Sequence, residues 1–103
     1  MKIKVKEKDV QKVIIEYLKI TKHFFWRNNT GAFKTERGRF MRFGDLGSPD
    51  IFIVKKGNIY GIEVKASDGK QSDNQIEWQK GFEKNGGIYI LASSLEEFLE
   101  QYK

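Results

Sequence analysis

The stretch GSPDIFIVKKGNIYGIEVK, residues 47–65, constrains the fold more than any other part of the chain. Its two runs of β-branched and aromatic residues flank a short Lys-Gly-Asn turn, a pattern typical of a β-hairpin. A two-residue turn at Lys-Gly places Asp50 opposite Glu63, whereas a turn at Gly-Asn places Asp50 opposite Lys65. Because side chains alternate along a strand, either turn puts these three charged residues on one face. The other face then carries Ile51, Ile53, Ile62 and Val64.

The two carboxylates on this hairpin face require a stabilising partner. Directly opposed residues have Cβ atoms about 4.5–5.5 Å apart, and like charges there are destabilising. A hard divalent cation is such a partner, because Mg²⁺ and Mn²⁺ take oxygen ligands that include one or two protein carboxylates. Lys65 could place a positive charge beside a phosphate or help to orient an attacking water. The spacing therefore predicts a site that acts on phosphate esters.

A third acid is expected from the first helix. The segment KEKDVQKVIIEYLKI, residues 6–20, has apolar residues at the spacing of an amphipathic helix. Glu7 lies within the predicted core-facing arc, whereas Glu16 points to solvent. Glu7 is thus a candidate metal or water ligand, and the alternative is that it only favours the helix N-terminus through the dipole. The predicted core positions are Val10, Val13, Ile14, Tyr17 and Leu18.

The remaining segments predict an α/β fold. HFFWRN at 23–28 is typical of a strand, and a long, glycine-rich and basic loop follows that can contain further strands. Ser72 and Gln75 form a capping-box pattern for a helix that ends at a Gly-Gly pair. A short apolar strand, IYILA, and a second Ser-capped helix complete the chain. We expect one domain, residues 1–103, with a mixed sheet flanked by helices in the order α-β-β-β-α-β-α.

The charge distribution favours a nucleic-acid partner. The chain has 19 Lys and Arg against 14 Asp and Glu, a net charge of +5. We expect phosphate contacts from the loop and its flanks, and aromatic residues within it that pack or, alternatively, stack on bases. The aromatic residues are Phe33, Phe40 and Phe43, with packing favoured, and the phosphate-contacting residues are Arg27, Asn28, Lys34, Arg37, Arg39 and Arg42. The chain has no cysteine and no apolar run long enough for a membrane span, so we expect an intracellular, cytoplasmic protein.

The motif PD at 49–50, followed by E-x-K at 63–65, resembles the signature of the PD-(D/E)XK nuclease superfamily. WRNNTG, RFGDLGSPDIFIV, GIEVKASDGKQSDNQIEW and GGIYILASSLEEF resemble, in that order, one branch of it, the VRR-NUC domain, over residues 7–99. The short length is similar to that of stand-alone phage members, whose proteins would act in the host cell cytoplasm.

The resemblance implies a restriction-endonuclease-like fold and a role for each matched residue. Asp50 and Glu63 would be metal ligands, together with the backbone carbonyl of Val64, and Lys65 would be the catalytic lysine. Gln75 would be an active-site residue, and Glu7 the acid on the first helix, with Glu16 as the fallback. The resemblance also implies dependence on Mg²⁺ or Mn²⁺, and a homodimer that cuts branched DNA such as Holliday junctions. The alternatives are a non-catalytic nucleic-acid-binding module, or a nickase or broad DNase without junction preference.

Overall fold

The computed structural model describes residues 5–28 and 30–103, so residues 1–4 and 29 of the predicted domain lie outside the described residues. The α/β prediction is confirmed, and the loop that can contain further strands contains two, so five strands precede the second helix. The elements are α1 (Glu7–Ile20), β1 (Phe24–Arg27), β2 (Gly31–Lys34), β3 (Phe40–Phe43), β4 (Ile51–Lys55), β5 (Asn58–Val64), α2 (Asp73–Lys84), β6 (Ile88–Ala92) and α3 (Leu95–Gln101). Among the described residues, no helix combines the length and apolarity needed to cross a bilayer.

The central sheet is mixed, with the strand order β1-β4-β5-β6. Strand β4 is antiparallel to both β1 and β5, whereas β5 and β6 are parallel. The β4–β5 pairing sets Ile51 opposite Ile62, which is the register of the Lys-Gly turn. Lys56 and Gly57 have φ of 50° and 83°, as a type I′ turn requires at its two central residues. Of the two predicted registers, the one with Asp50 opposite Glu63 is therefore correct.

One face of this sheet packs against α1 and α3. The hairpin isoleucines that were predicted to share this face are buried, as are Ile14, Leu18 and Phe98 from the helices. The prediction for Val13 is wrong, because Val13 is 48% exposed while Ile15 is buried. The buried stripe of α1 runs through Ile14 and Leu18, and Glu7 lies two turns before Ile14 on the same side of the helix.

The opposite face of the sheet is covered by α2. Its Trp78 and Phe82 rings contact Phe52 of β4, with centroid separations of 5.9 and 6.1 Å. A Cβ atom on Gly61 would lie 3.2 Å from the Phe82 ring, so the glycine allows the close approach of α2 to β5. Helix α2 thus covers the middle of the face whose end carries Asp50 and Glu63.

Strands β2 and β3 pair only with each other, and all eight of their residues are exposed. We refer to residues 31–43 as the arm. The packing favoured for its phenylalanines is limited to a contact between the Phe33 and Phe43 rings, whose centroids are 6.3 Å apart, and Phe33, Phe40 and Phe43 are 54%, 72% and 46% exposed. A two-stranded ribbon of short strands has too few neighbours to bury its side chains.

Candidate functional site

The three predicted acids meet at one end of the sheet. Glu7, Asp50 and Glu63 each offer a carboxylate oxygen, and these atoms lie within 4.8 Å of one another. They come from the first turn of α1, the start of β4 and the end of β5. We refer to these residues as the acidic triad. Glu16 is exposed and lines a separate groove, so Glu7 is the first-helix acid that the fold places here.

Asp50 is held by the backbones of β5 and β1. Its N–H donates to the Ile62 carbonyl at 3.0 Å, and its Oδ2 accepts from the Val64 N–H at 2.7 Å. Its carbonyl accepts from the Asn28 N–H at 2.8 Å. Because the ladder fixes both sides of this residue, the carboxylate is oriented before any ligand binds.

Asn28 was predicted to contact phosphate, but its side-chain amide points into the protein. Its Nδ2 donates to Ser48 Oγ at 2.7 Å and to the Pro49 carbonyl at 2.8 Å. Ser48 is 8% exposed, and its hydroxyl donates to the Asp45 carbonyl at 2.6 Å. Asn28 therefore fixes the turn that leads into Asp50.

Glu63 is the buried member of the triad, with 2% of its surface exposed. Burial and then the Asp50 carboxylate together raise its pKa to about 9, against the opposing effect of the Lys65 ammonium. Among the described residues, nothing hydrogen-bonds Glu63 Oε1. A buried, unpartnered oxygen beside two more carboxylates is a donor set that suits a hard divalent cation, whose binding would displace the proton.

The remaining predicted site residues, Val64, Lys65 and Gln75, have different surroundings. Val64 lines a groove of about 220 Å³ together with Glu7 and Asp50. Lys65 follows β5 directly and is half-buried. Gln75 forms the predicted capping box, because its Oε1 accepts from the Ser72 N–H at 2.9 Å and its own N–H donates to Ser72 Oγ at 3.2 Å. A role of Gln75 in the site stays a prediction.

Sequence reasoning missed Tyr89, which lies on β6 beside Gly61 of β5. Burial, followed by the charge of Glu63, raises the pKa of Tyr89 to about 12, so its hydroxyl remains a proton donor at neutral pH. That hydroxyl accepts from Gln71 Nε2 at 3.1 Å, and Gln71 also donates to Gln79 at 2.9 Å. The uniformly apolar strand IYILA gave no indication of which side chains face the triad.

The predicted phosphate-contacting side chains on the arm and at Arg27 are exposed. The segment that follows the arm, residues 44–49, is held against α2. Trp78 Nε1 donates to Asp45 Oδ2 at 2.8 Å. Gly47 has φ of +87°, and a Cβ there would lie 2.4 Å from the Asn74 carbonyl oxygen. Arg27, at the end of β1, donates to Gln11 at 3.5 Å. The exposed cations on the arm are Lys34, Arg37, Arg39 and Arg42.

Most of the chain superposes on a solved structure described as a VRR_NUC domain. The TM-score is 0.66, and the alignment covers 94% of this chain and 97% of that one at 22% sequence identity. This chain has the fold of a VRR_NUC domain. No family model and no curated protein matches the sequence, so the likeness is one of structure. The VRR_NUC fold is the one that the four longer sequence segments predict.

Proposed function

We propose that this protein is a metal-dependent endonuclease that hydrolyses phosphodiester bonds in DNA. The observation that carries the proposal is the acidic triad, whose oxygens lie within 4.8 Å of one another and include the buried, unpartnered Oε1 of Glu63. Divalent cations that bind nucleic-acid phosphates prefer such oxygen ligands. The VRR_NUC fold and the net charge of +5 support the same function.

Each residue of the site then has a role. Glu7, Asp50 and Glu63, with the Val64 carbonyl, would hold Mg²⁺ or Mn²⁺. When bound, such an ion polarises the scissile phosphate and lowers the pKa of a bound water. Lys65 would stabilise the negative charge that develops on the phosphate. Gln75 would orient the attacking water, which requires its side chain to leave the capping box.

We further propose that the substrate is branched DNA, such as a Holliday junction, and that two copies of this single-domain chain act together. Each chain contributes one acidic triad from its described residues, so paired cuts in opposed strands require a two-fold dimer. We propose a cytoplasmic location, which is that of the host cell if the gene belongs to a phage. Light scattering after size-exclusion chromatography tests the dimer.

A cleavage assay tests the proposed chemistry. Wild-type protein is incubated with labelled linear, flapped and four-way DNA in Mg²⁺, Mn²⁺ or EDTA. Lys65→Ala is compared with Lys56→Ala, which removes a lysine from the opposite end of the same hairpin. We expect metal-dependent cleavage that favours four-way DNA, a loss of at least about 100-fold for Lys65→Ala, and little change for Lys56→Ala.

Two results would contradict the proposal. Cleavage that persists in EDTA, or that Lys65→Ala leaves intact, would exclude this mechanism. Failure of the wild type to cut any DNA that it binds would favour the non-catalytic binding module. Isothermal titration with Mn²⁺ separates these cases further. If the protein is a metal-dependent nuclease, the wild type should bind Mn²⁺ and the Asp50→Asn variant should not. Equal cleavage of all substrates would support a broad DNase instead of a junction nuclease.

A further inference from the structure

The arm has two chemically different faces. Its strands pair Ala32 with Arg42 and Lys34 with Phe40, and these side chains share one face because directly opposed residues point the same way. The alternate pairs place Phe33, Met41 and Phe43 on the other face. The first face therefore combines two cations with a single aromatic ring, whereas the second is apolar.

The cationic face borders a groove of about 360 Å³. Phe40, Arg42 and Leu46 contribute to its walls together with Phe43, which belongs to the other face of the arm, and Phe40 is 72% exposed. The volume lies within the range of roughly 300–1,000 Å³ that is typical of small-molecule sites. A wall with an open aromatic ring next to a guanidinium provides the two contacts by which proteins bind unstacked nucleotides, stacking on the base and pairing with the phosphate.

The charges of the arm decide which partner fits this groove. The arm contains four exposed cations and one acid, Glu36. The cations are Lys34, Arg37, Arg39 and Arg42. A second copy of the arm would bring like charges together, whereas a polyanion would neutralise them. Bases within duplex DNA remain stacked on one another, so the open ring of Phe40 is available only to bases that are unpaired.

We propose that the groove on the arm binds an unstacked nucleobase of single-stranded or branched DNA, with Phe40 as the stacking surface and Arg42 on the adjoining phosphate. The inference rests on the proposed function for DNA as the ligand, and it adds that unpaired nucleotides are what the arm selects. The chain enters the arm just after Asn28 and leaves it through the turn that leads into Asp50. A nucleotide held by the arm is thereby linked through a short, fixed segment to the acidic triad.

Fluorescence anisotropy in EDTA tests the inference without cleavage. The probes are labelled oligothymidine of about 12 nucleotides and a blunt duplex of the same length. Phe40→Ala is compared with Phe24→Ala, because Phe24 is 71% exposed and lies on β1, outside the arm. We expect Phe40→Ala to weaken binding of the single strand by roughly 5- to 100-fold and binding of the duplex by less than about twofold. Phe24→Ala should change neither, and Phe40→Trp should retain the affinity for the single strand.

Arg42→Gln provides an independent measurement. It should weaken binding of both probes and reduce the salt dependence by about one phosphate contact. Equal losses on single strand and duplex for Phe40→Ala, or the same loss for Phe24→Ala, would overturn the inference. So would conversion of a dimer to a monomer by Phe40→Ala, because the arm would then be an interface between copies. A protein that shows the expected selectivity but cuts no DNA would lose the proposed nuclease function and keep this inference.

Discussion

Replacing Glu63 by glutamine tests the electrostatics of the acidic triad in metal-free protein. Glu63 is 2% exposed, and burial together with the neighbouring Asp50 raises its pKa from 4.5 to about 9. Because the folded-state pKa lies above the unfolded value, the proton on Glu63 contributes to the stability of the folded state. This contribution is fully present below about pH 4.5 and is lost as the pH rises towards 9. Glutamine has nearly the same shape and cannot ionise.

The expected gain in stability follows from this difference in pKa. At pH 8 the unfolded carboxyl is ionised while the folded one is still protonated, and the interval of about 3.5 pH units above 4.5 corresponds to roughly 5 kcal/mol. We therefore expect metal-free Glu63→Gln to exceed the wild type in unfolding free energy by about 3–5 kcal/mol at pH 8. This corresponds to a rise in Tm on the order of 10–20 °C, which should disappear near pH 4.

Thermal unfolding followed by circular dichroism in EDTA, from pH 4 to pH 8, measures this difference. Glu16→Gln is the matched control, because it neutralises an exposed glutamate on the same helix as Glu7. A gain for Glu63→Gln that does not depend on pH, or a loss of stability at pH 8, would refute the reasoning. Adding Mn²⁺ at about 100 times its Kd should stabilise the wild type by roughly 2.7 kcal/mol and leave Glu63→Gln unchanged.

Three further substitutions test how the sheet end is held. Asn28→Ala should lower the unfolding free energy by about 1–3 kcal/mol in urea and reduce DNA cleavage by more than about tenfold, since Ser48 and the turn before Asp50 lose a half-buried amide donor. Unchanged cleavage would argue against a positioning role. Gly47→Ala should lower the free energy of unfolding by about 2–4 kcal/mol, because φ at Gly47 is +87° and the new Cβ would meet the Asn74 carbonyl. An unchanged urea midpoint would contradict this. Ser72→Ala should lower the free energy of unfolding by about 1 kcal/mol, whereas Ser72→Asp should lower it much less, because aspartate also caps helices. Equal losses would exclude capping as the cause.

The hairpin face could be predicted from the sequence because strand periodicity is exactly two. Any turn that preserves parity leaves Asp50 and Glu63 on the same face, so the face did not depend on the register. The register itself was left open, because Lys-Gly and Gly-Asn both offer a glycine for the positive φ of a hairpin turn. The structure selects Lys56 and Gly57, with both residues at positive φ.

The bounds of the strands in the arm, and the position of Tyr89, could not be predicted for a different physical reason. Hydrophobic periodicity is recognised over several residues, and a four-residue strand gives each face only two positions. The four-residue strands of the arm are accordingly marked only by glycines and mixed basic and aromatic residues. Tyr89 lies in a strand that is apolar throughout. The face of the sheet on which its side chain lies depends on the parallel pairing of β6 with β5, which is set by distant parts of the chain.

One arrangement accounts for both unusual properties of Glu63. The ladder fixes Asp50 opposite Glu63, because β5 accepts the Asp50 amide at Ile62 and donates from Val64 to its carboxylate. The two carboxyl groups are thus held on neighbouring strands, and burial together with Asp50 raises the pKa of Glu63, which favours its protonated form when no cation is bound. The same constraint leaves Oε1 buried without a hydrogen-bond partner among the described residues. A divalent cation would replace that proton and be coordinated by the oxygen. Binding would then relieve the repulsion between the two carboxylates, which would favour metal binding.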